Sequence, residues 1–370
     1  MERSTRTLAL AHGRVELPAF LPDATHGLVR TVDSQDLLGA GVQAVEMNVF
    51  HLMQRPGSST IKSLGGLHHA FGWDHPILTD SGGFQAYSLI RQNPRLGSLT
   101  DRGLVFRPEG SSRKMLLTPE KSIQLQMSYG ADIVVCLDDC THADAPYETQ
   151  REAVQRTIRW ARRCRDAFDA RAAVGGNGES RPLIMGVIQG GNERDLRREC
   201  TEVLLEIGFD VYGLGGWPLD SAGNLLVDVI GYMRELVPQA FPMHALGVGH
   251  PAHVLACAGM GYSLFDSAMP TRDARHGRLM VEDGLDTMTG SEGAAKPSAT
   301  DGWHYVYIRD ERYVRDGRPL SETCDCHTCR HYSRAFLHHL FKLRDGSYYR
   351  LATIHNLRFM ARLMARLRGE

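Results

Sequence analysis

Three cysteines within six positions, Cys324, Cys326 and Cys329 in S-E-T-C-D-C-H-T-C-R-H, restrict this chain more than any other feature. Connectivity alone holds three soft donors around one point, and a tetrahedral zinc site needs only one more ligand from elsewhere. A disulfide would leave one thiol over and close a strained ring. The chain has eight cysteines in all. The other five, Cys136, Cys140, Cys164, Cys200 and Cys257, are scattered through apolar or helical contexts, as in a protein of a reducing cytosol. The cluster predicts a metal-pinned module at residues 300–370, beside something larger. From the residues alone the fourth ligand is open among His327, His331, His338, His339 and His355, with His327 awkwardly placed inside the thiol turn.

The larger part is long enough to bury a full core, and 42% apolar with 23% charged residues describes an ordinary globule. No apolar run reaches membrane-spanning length, and MERSTRTLAL lacks the core of a signal peptide, so a cytoplasmic protein with no membrane partner is expected. Apolar runs at Ala19–Leu21, Val42–Met47, Ile77–Thr79, Ile133–Leu137, Leu183–Ile188, Val211–Leu214, Ala245–Val248 and Ser263–Phe265 read as strands. Helical patterns fall at Ser34–Leu38, Tyr147–Ala172, Glu193–Glu206, Ala222–Leu236 and Ala252–Met260. Such alternation predicts an α/β fold, a (β/α)8 TIM barrel over residues 1–290, with a doubly wound sheet as the alternative. A hairpin inserted after the third strand is expected in Arg91–Pro108, and a loop at Thr289–Thr300 leads to the metal module.

In a barrel the carboxyl ends of the strands converge on one mouth, where active sites of this architecture sit. Strand three runs into Asp80, strand four into Asp138-Asp139, strand five into Gln189 before Gly190-Gly191, strand six into Gly213, and strand eight into Asp266. Singly, an Asp at a strand end caps a helix and Gly-Gly marks a turn. Together they describe a polar cup for a flat polar ligand. Asp80 and Asp266 could divide labour as nucleophile and proton shuttle, the pairing that breaks a glycosidic bond through an oxocarbenium-like transition state. Asp138 and Gln189 could read a purine-like edge. A net charge of −1 argues against a uniformly basic nucleic-acid binder. Yet from Arg330 onward nine Lys/Arg face two acids, a candidate phosphate-contacting surface or simply a solvated helical face.

At these residues the chain resembles the tRNA-guanine transglycosylases, which exchange an anticodon guanine for a 7-deazaguanine. The resemblance rests on T-D-S-G-G-F-Q (Thr79–Gln85), D-D-C-T (Asp138–Thr141), Q-G-G (Gln189–Gly191), G-V-G (Gly247–Gly249), F-D…P-T-R (Phe265–Arg272), Asn48–Leu52, Arg55–Gly57 and the terminal C-x-C-x-x-C with His355. It implies Asp266 as the nucleophile on C1′ of the target ribose and Asp80 as general acid/base. Ser81, Gly82, Gly83, Phe84, Asp138, Cys140, Gln189, Gly213, Leu214, Gly216 and Leu246 would hold the base, with Phe84 and Leu246 sandwiching its ring. Gly247, Val248, Gly249, His250, Thr271, Arg272 and Arg275 would meet a splayed anticodon loop. His355 would complete a structural zinc site with Cys324, Cys326 and Cys329. No organic cofactor is implied, the partners would be tRNA and a free 7-deazaguanine base, and a homodimer would act.

The chain also departs from that pattern. Gly215-Gly216-Trp217-Pro218 replaces the bacterial larger aliphatic residue and following glutamate; the bare Gly216 favours queuine, whereas Cys140 resembles the pattern that takes preQ1. Leu21–Gly27 replaces a more usual uncharged stretch, and Asp273 stands between Arg272 and Arg275. The competing readings are a non-catalytic partner subunit of such an enzyme, against which both carboxylates speak, and a related transglycosylase acting on DNA.

Overall fold

Short, mainly apolar strands with little face to show to water must be covered on both sides. In the computed structural model, which describes residues 6–91, 93–107, 114–174, 181–282 and 302–370, eight such strands lie parallel. In chain order they are Ala19–Pro22, Val45–Asn48, Ile77–Asp80, Ile133–Val135, Leu183–Ile188, Val211–Leu214, Met243–Ala245 and Leu264–Ser267. From the second onward each pairs with the next, and the eighth pairs with the first. The last seam closes through a backbone bridge between Asp23 and Glu46, with the Ala24 N–H donating to the Glu46 carbonyl at 2.6 Å. The sheet is therefore a (β/α)8 barrel. A hairpin, Arg6–Leu10 with Gly13–Leu17, plugs the amino-terminal end, where Leu10, Val15 and Leu17 join Leu78, Val135 and Val187.

Boundaries differ from expectation where a turn intervenes. Strand two begins at Val45 rather than Val42, because Gly41 in the left-handed region ends the preceding helix and the Val42 N–H still bonds back to Leu37. Strand seven is Met243–Ala245, not Ala245–Val248: Gly247 has φ +74°, and the Val248 N–H turns back to the Ala245 carbonyl at 3.2 Å. The helix expected from Ala222 starts at Val227, since the Asp220 carboxylate accepts from the Ala222 and Asn224 N–H groups and holds those residues in a loop. The expected hairpin after strand three is present as Gly97–Thr100 with Gly103–Phe106, and a third strand, Met115–Leu117, extends it.

After strand eight come the helix Met269–Arg275 and the strand Arg278–Glu282, which pairs antiparallel with Trp303–Tyr307. The expected loop Thr289–Thr300 lies outside the described residues. Helices His327–His331 and Arg334–Leu343 then lead into a long final helix, Gly346–Arg368. Its Tyr348, Leu351 and Ile354 belong to the core around the cysteine cluster, whereas Phe359, Met360, Leu363 and Met364 belong to the main core of the barrel. Burial of side chains this size stabilises by about 1.5–3 kcal/mol each, so one helix seats the C-terminal module on the barrel.

The basic end of the chain is largely taken up in ion pairs. Seven of its nine cations pair with acids: Arg334 with Asp316, Lys342 with Glu311, Arg350 with Asp36, Arg358 with Asp325, Arg362 and Arg366 with Glu282, and Arg368 with Glu370. Among the described residues no helix is long and apolar enough to cross a membrane.

Candidate active site

Register decides which side chains meet at the mouth. Asn48 stands opposite Asp80 across strands two and three, Asp23 opposite Glu46 across one and two, and Asp266 opposite Leu21 across eight and one. The carboxyl groups of strands one, two, three and eight therefore crowd one sector of the barrel. Asp80 takes a hydrogen bond from Asn48 Nδ2 at 2.6 Å and is capped by the Ser81 and Gly82 N–H groups. Burial, and next the charge of Asp266, push its carboxyl up to about 6 against those bonds. Asp266 accepts from the Gly247 N–H at 2.8 Å, and His244 Nε2 lies 3.0 Å from the same Oδ1.

The residues expected to read a base form the neighbouring sector. Gln189 Nε2 donates to Asp138 Oδ2 at 2.6 Å, leaving Gln189 Oε1 buried without a partner among the described residues. Burial and the charge of Asp80 push the Asp138 carboxyl up to about 7, despite the Gln189 bond. Gly83 is required here: a Cβ on it would stand 2.1 Å from Asp138 Oδ1. Ser81 is fully buried, its hydroxyl accepting from the Gly83 N–H at 3.2 Å. Gly82 sits against Phe50, and Gly216, at φ +83°, has Gln189 Oε1 and Thr141 O each 3.4 Å from the place of a Cβ. Cys140 is buried beside Thr141. Leu246 touches Gly213, while Leu214 is buried. Phe84 is 45% exposed, its ring 5.8 Å from that of Trp217, so an aromatic pair stands over the cup.

The expected RNA-facing residues divide. Arg272 is exposed and Arg275 half-buried on the helix after strand eight, and Gly247 is exposed. His250 begins the helix Pro251–Met260 and packs against His253 and Trp303. Val248 and Gly249 are buried, as is Thr271, whose hydroxyl donates to the Ala268 carbonyl at 3.1 Å. Those three serve the turn and the helix from within. Asp273 does not face the arginines' solvent side. It is buried, paired with Arg278 and bonded by the Tyr305 hydroxyl at 3.1 Å.

Below this helix lies the cysteine cluster. His355 Nδ1 faces the sulfurs of Cys324, Cys326 and Cys329 at 3.8, 3.6 and 3.3 Å. Metal bonds of about 2.3 Å to sulfur and 2.0 Å to nitrogen in a tetrahedron put S and N about 3.5 Å apart, so this donor set fits a tetrahedral ion. The other ring nitrogen, Nε2, donates to the Met280 carbonyl at 2.8 Å, which fixes the tautomer that turns a lone pair toward the thiols. Four such groups could hold a metal ion and leave no open position. The next residue, Asn356, accepts from the Met280 N–H and donates to the carbonyls of Pro270 and Arg278. The pinned helix thus grips the segment that follows Asp266.

The family profile described as queuine tRNA-ribosyltransferase matches residues 3–370. The chain belongs to this family. Queuine tRNA-ribosyltransferases of Psychrobacter sp. (strain PRwf-1) and Syntrophobacter fumaroxidans are 38% and 37% identical to it over 362 and 361 residues, each covering 98% of this chain and 88% of the relative. That of Staphylococcus aureus (strain bovine RF122 / ET3-1) is 35% identical over 360 residues, 96% of this chain and 86% of the relative. Membership makes the chain a pentosyltransferase.

Four polar residues at the site were given no role by the sequence reading. Glu46 and His244 lie within strands two and seven; Glu46 was visible as a charge inside the apolar run Val42–Met47, whereas His244 stands just before the run from which strand seven was expected. Asn48, at the end of strand two, orients Asp80. Arg197 is almost wholly buried and donates to the carbonyls of Gly191, Ile188 and Gly215, bracing both glycine loops. Nothing local in its helix marks it.

Two measurements check this geometry. Cys326→Ser should purify with less than the wild type's bound metal and melt at lower temperature; full metal content with unchanged melting would remove the four-ligand centre. The Asp138 carboxyl keeps its proton to a higher pH when folded than unfolded, so the stability tied to it is fully present below about pH 4 and is lost as pH rises through about 7. Asp138→Asn should therefore gain stability relative to wild type on going from pH 5 to pH 8, by on the order of 2 kcal/mol in denaturant titrations. A difference that does not vary with pH would show that the carboxyl is not held protonated.

Proposed function

We propose that this protein is a tRNA-guanine transglycosylase that replaces guanine at the wobble position of GUN anticodons with a 7-deazaguanine, through a covalent aspartyl-ribosyl intermediate. The observation that supports this most is the meeting of Asp80 and Asp266 in one sector of the mouth, where the charge of Asp266 acts on the Asp80 carboxyl. Asp266 has one oxygen, Oδ1, held by the Gly247 N–H, which orients the carboxylate for attack on C1′. Asp80, pushed up to about 6, can give a proton to the departing guanine and take one from the incoming base near neutral pH.

The neighbouring sector suits the base. Asp138 and Gln189 present adjoining oxygen and amide groups, the Gly213–Leu214 backbone borders them, and Phe84 with Leu246 offers an aromatic and an aliphatic wall. Gly216 leaves space beside Gln189 and Thr141, which supports queuine over preQ1 as the incoming base; its φ of +83° also favours glycine on backbone grounds alone. Arg272 and Arg275 lie on the helix that follows strand eight, and in this reading they meet phosphates or anticodon bases of the RNA. Zinc is the ion that best suits three thiolates and an imidazole, and its role is structural. The enzyme works as a cytoplasmic homodimer in this reading.

Asp266→Asn should abolish the RNA–protein adduct trapped on denaturing gels after incubation with guanine and an unmodified GUN tRNA. An adduct that persists in this variant would move the nucleophile elsewhere. Labelled guanine offered with tRNA or with duplex DNA separates the readings: incorporation into tRNA alone supports this one, incorporation into DNA the related DNA enzyme, and none a non-catalytic subunit. Saturating queuine should block guanine exchange; if preQ1 blocks it and queuine does not, the preference is reversed.

A further inference from the structure

The barrel holds more carboxylates beneath its mouth than the exchange reaction uses. Glu46 lies two positions before Asn48 on strand two and so points to the same side of the sheet, one layer below it. Ligating atoms of Glu46, His244 and Asp266 all fall within 4.8 Å of one another. His244 is fully buried, with Nε2 3.0 Å from Asp266 Oδ1. Neither its Nδ1 nor Glu46 Oε2 has a hydrogen-bond partner among the described residues. The groups facing Glu46 are Asp266 from strand eight, Asp80 from strand three, Asp23 from strand one and His244 from strand seven. Three of these four are acids. Carboxyl groups this close cannot all ionise, and two of them in contact share a proton.

Resting on the reading of Asp266 as nucleophile, we propose that Glu46 is a positioning residue that holds a proton against Asp266 through both halves of the exchange. In the first half, the Asp266–C1′ bond forms as the bond from C1′ to guanine breaks, and guanine leaves with a proton from Asp80. In the second, the incoming base gives its proton to Asp80 as its nitrogen bonds C1′, and Asp266 departs with the electron pair of the ester bond. The Glu46 proton is transferred in neither half. It lowers the cost of returning a negative charge to Asp266 when the ester breaks. Burial and the neighbouring charges raise the Glu46 carboxyl well above its ordinary range, in keeping with a proton retained at neutral pH. Once Glu46 ionises at higher pH, a second charge stands against Asp266, so the ester should accumulate and turnover should fall.

The test uses the full-length enzyme with its metal, comparing wild type, Glu46→Gln and Glu46→Leu in guanine exchange on a GUN tRNA between pH 6 and pH 10. Trapped adduct is quantified and its peptide mapped. Glu46→Gln keeps a donor that cannot ionise. It should turn over within about five-fold of wild type at pH 7, lose the alkaline fall in rate, and accumulate no extra adduct there. Glu46→Leu has no donor and should be slower by about 10–100-fold at pH 7, the range for a hydrogen bond to a charged group, with adduct accumulating at all pH values. Equal melting temperatures and metal content of Glu46→Gln and wild type establish that the comparison is between folded proteins. The proposal is overturned if the Glu46→Gln profile superimposes on that of wild type, or if Glu46→Leu equals Glu46→Gln. A second metal ion per chain that vanishes in Glu46→Gln would also overturn it, by making the cluster a metal site. A wild-type adduct mapped to a residue other than Asp266 would instead fail the nucleophile reading, a result separate from the pH comparison.

Discussion

Closure of the barrel is the constraint from which the rest follows. Eight short parallel strands leave no free edge only if the first meets the second, and that last seam is the backbone bridge between Asp23 and Glu46. The same bridge brings the acids of strands one and two beside those of strands three and eight. Like charges in a low-dielectric interior resist ionisation, which is why burial and mutual repulsion, rather than any special neighbour, raise Asp80 and Asp138 into the range where protons move near pH 7. The fold thus raises these carboxyls by crowding them. A more comfortable arrangement would leave them ordinary carboxylates.

Crowding of that kind needs rigid walls. Asn48 and the Ser81–Gly82 backbone hold Asp80, Gly247 holds Asp266, and buried Arg197 ties the loops after strands five and six with three carbonyl contacts. On the far side, the cysteine cluster turns His355 and Asn356 into a fixed rail. Asn356 reaches the Pro270 carbonyl, four residues after the proposed nucleophile. A metal ion held by this cluster would therefore bear on the geometry of the mouth without touching substrate, with the large apolar seat of the final helix carrying the connection.

How much of this could be read from the chain depends on how local each cause is. The strands Leu183–Ile188 and Val211–Leu214 coincide with their apolar runs because nothing but burial sets their limits. Strand seven was displaced because the positive φ of Gly247 is a backbone fact that an apolar run does not display. The mouth residues Asp80, Asp138, Gln189 and Asp266 were legible because strand ends of a barrel share one face. Glu46 and His244 were not, since a titratable group inside a strand has meaning only when its cross-barrel neighbours are known. The basic C-terminal stretch looked like a surface for phosphate, yet most of its cations meet acids that lie far away in the chain.

By itself the sequence determined what short-range connectivity and periodicity can enforce. It held three thiols at one point, set a strand–helix rhythm that suits a barrel, and ended successive strands in polar groups. Tertiary structure alone decided which acid lies against Asp266 and which arginines are left without an acid among the described residues, and it brought His355, named beforehand only through the family resemblance, to the thiols. Those choices rest on contacts between segments remote in the chain, and such contacts come into being only when closure and burial have set the distances between them.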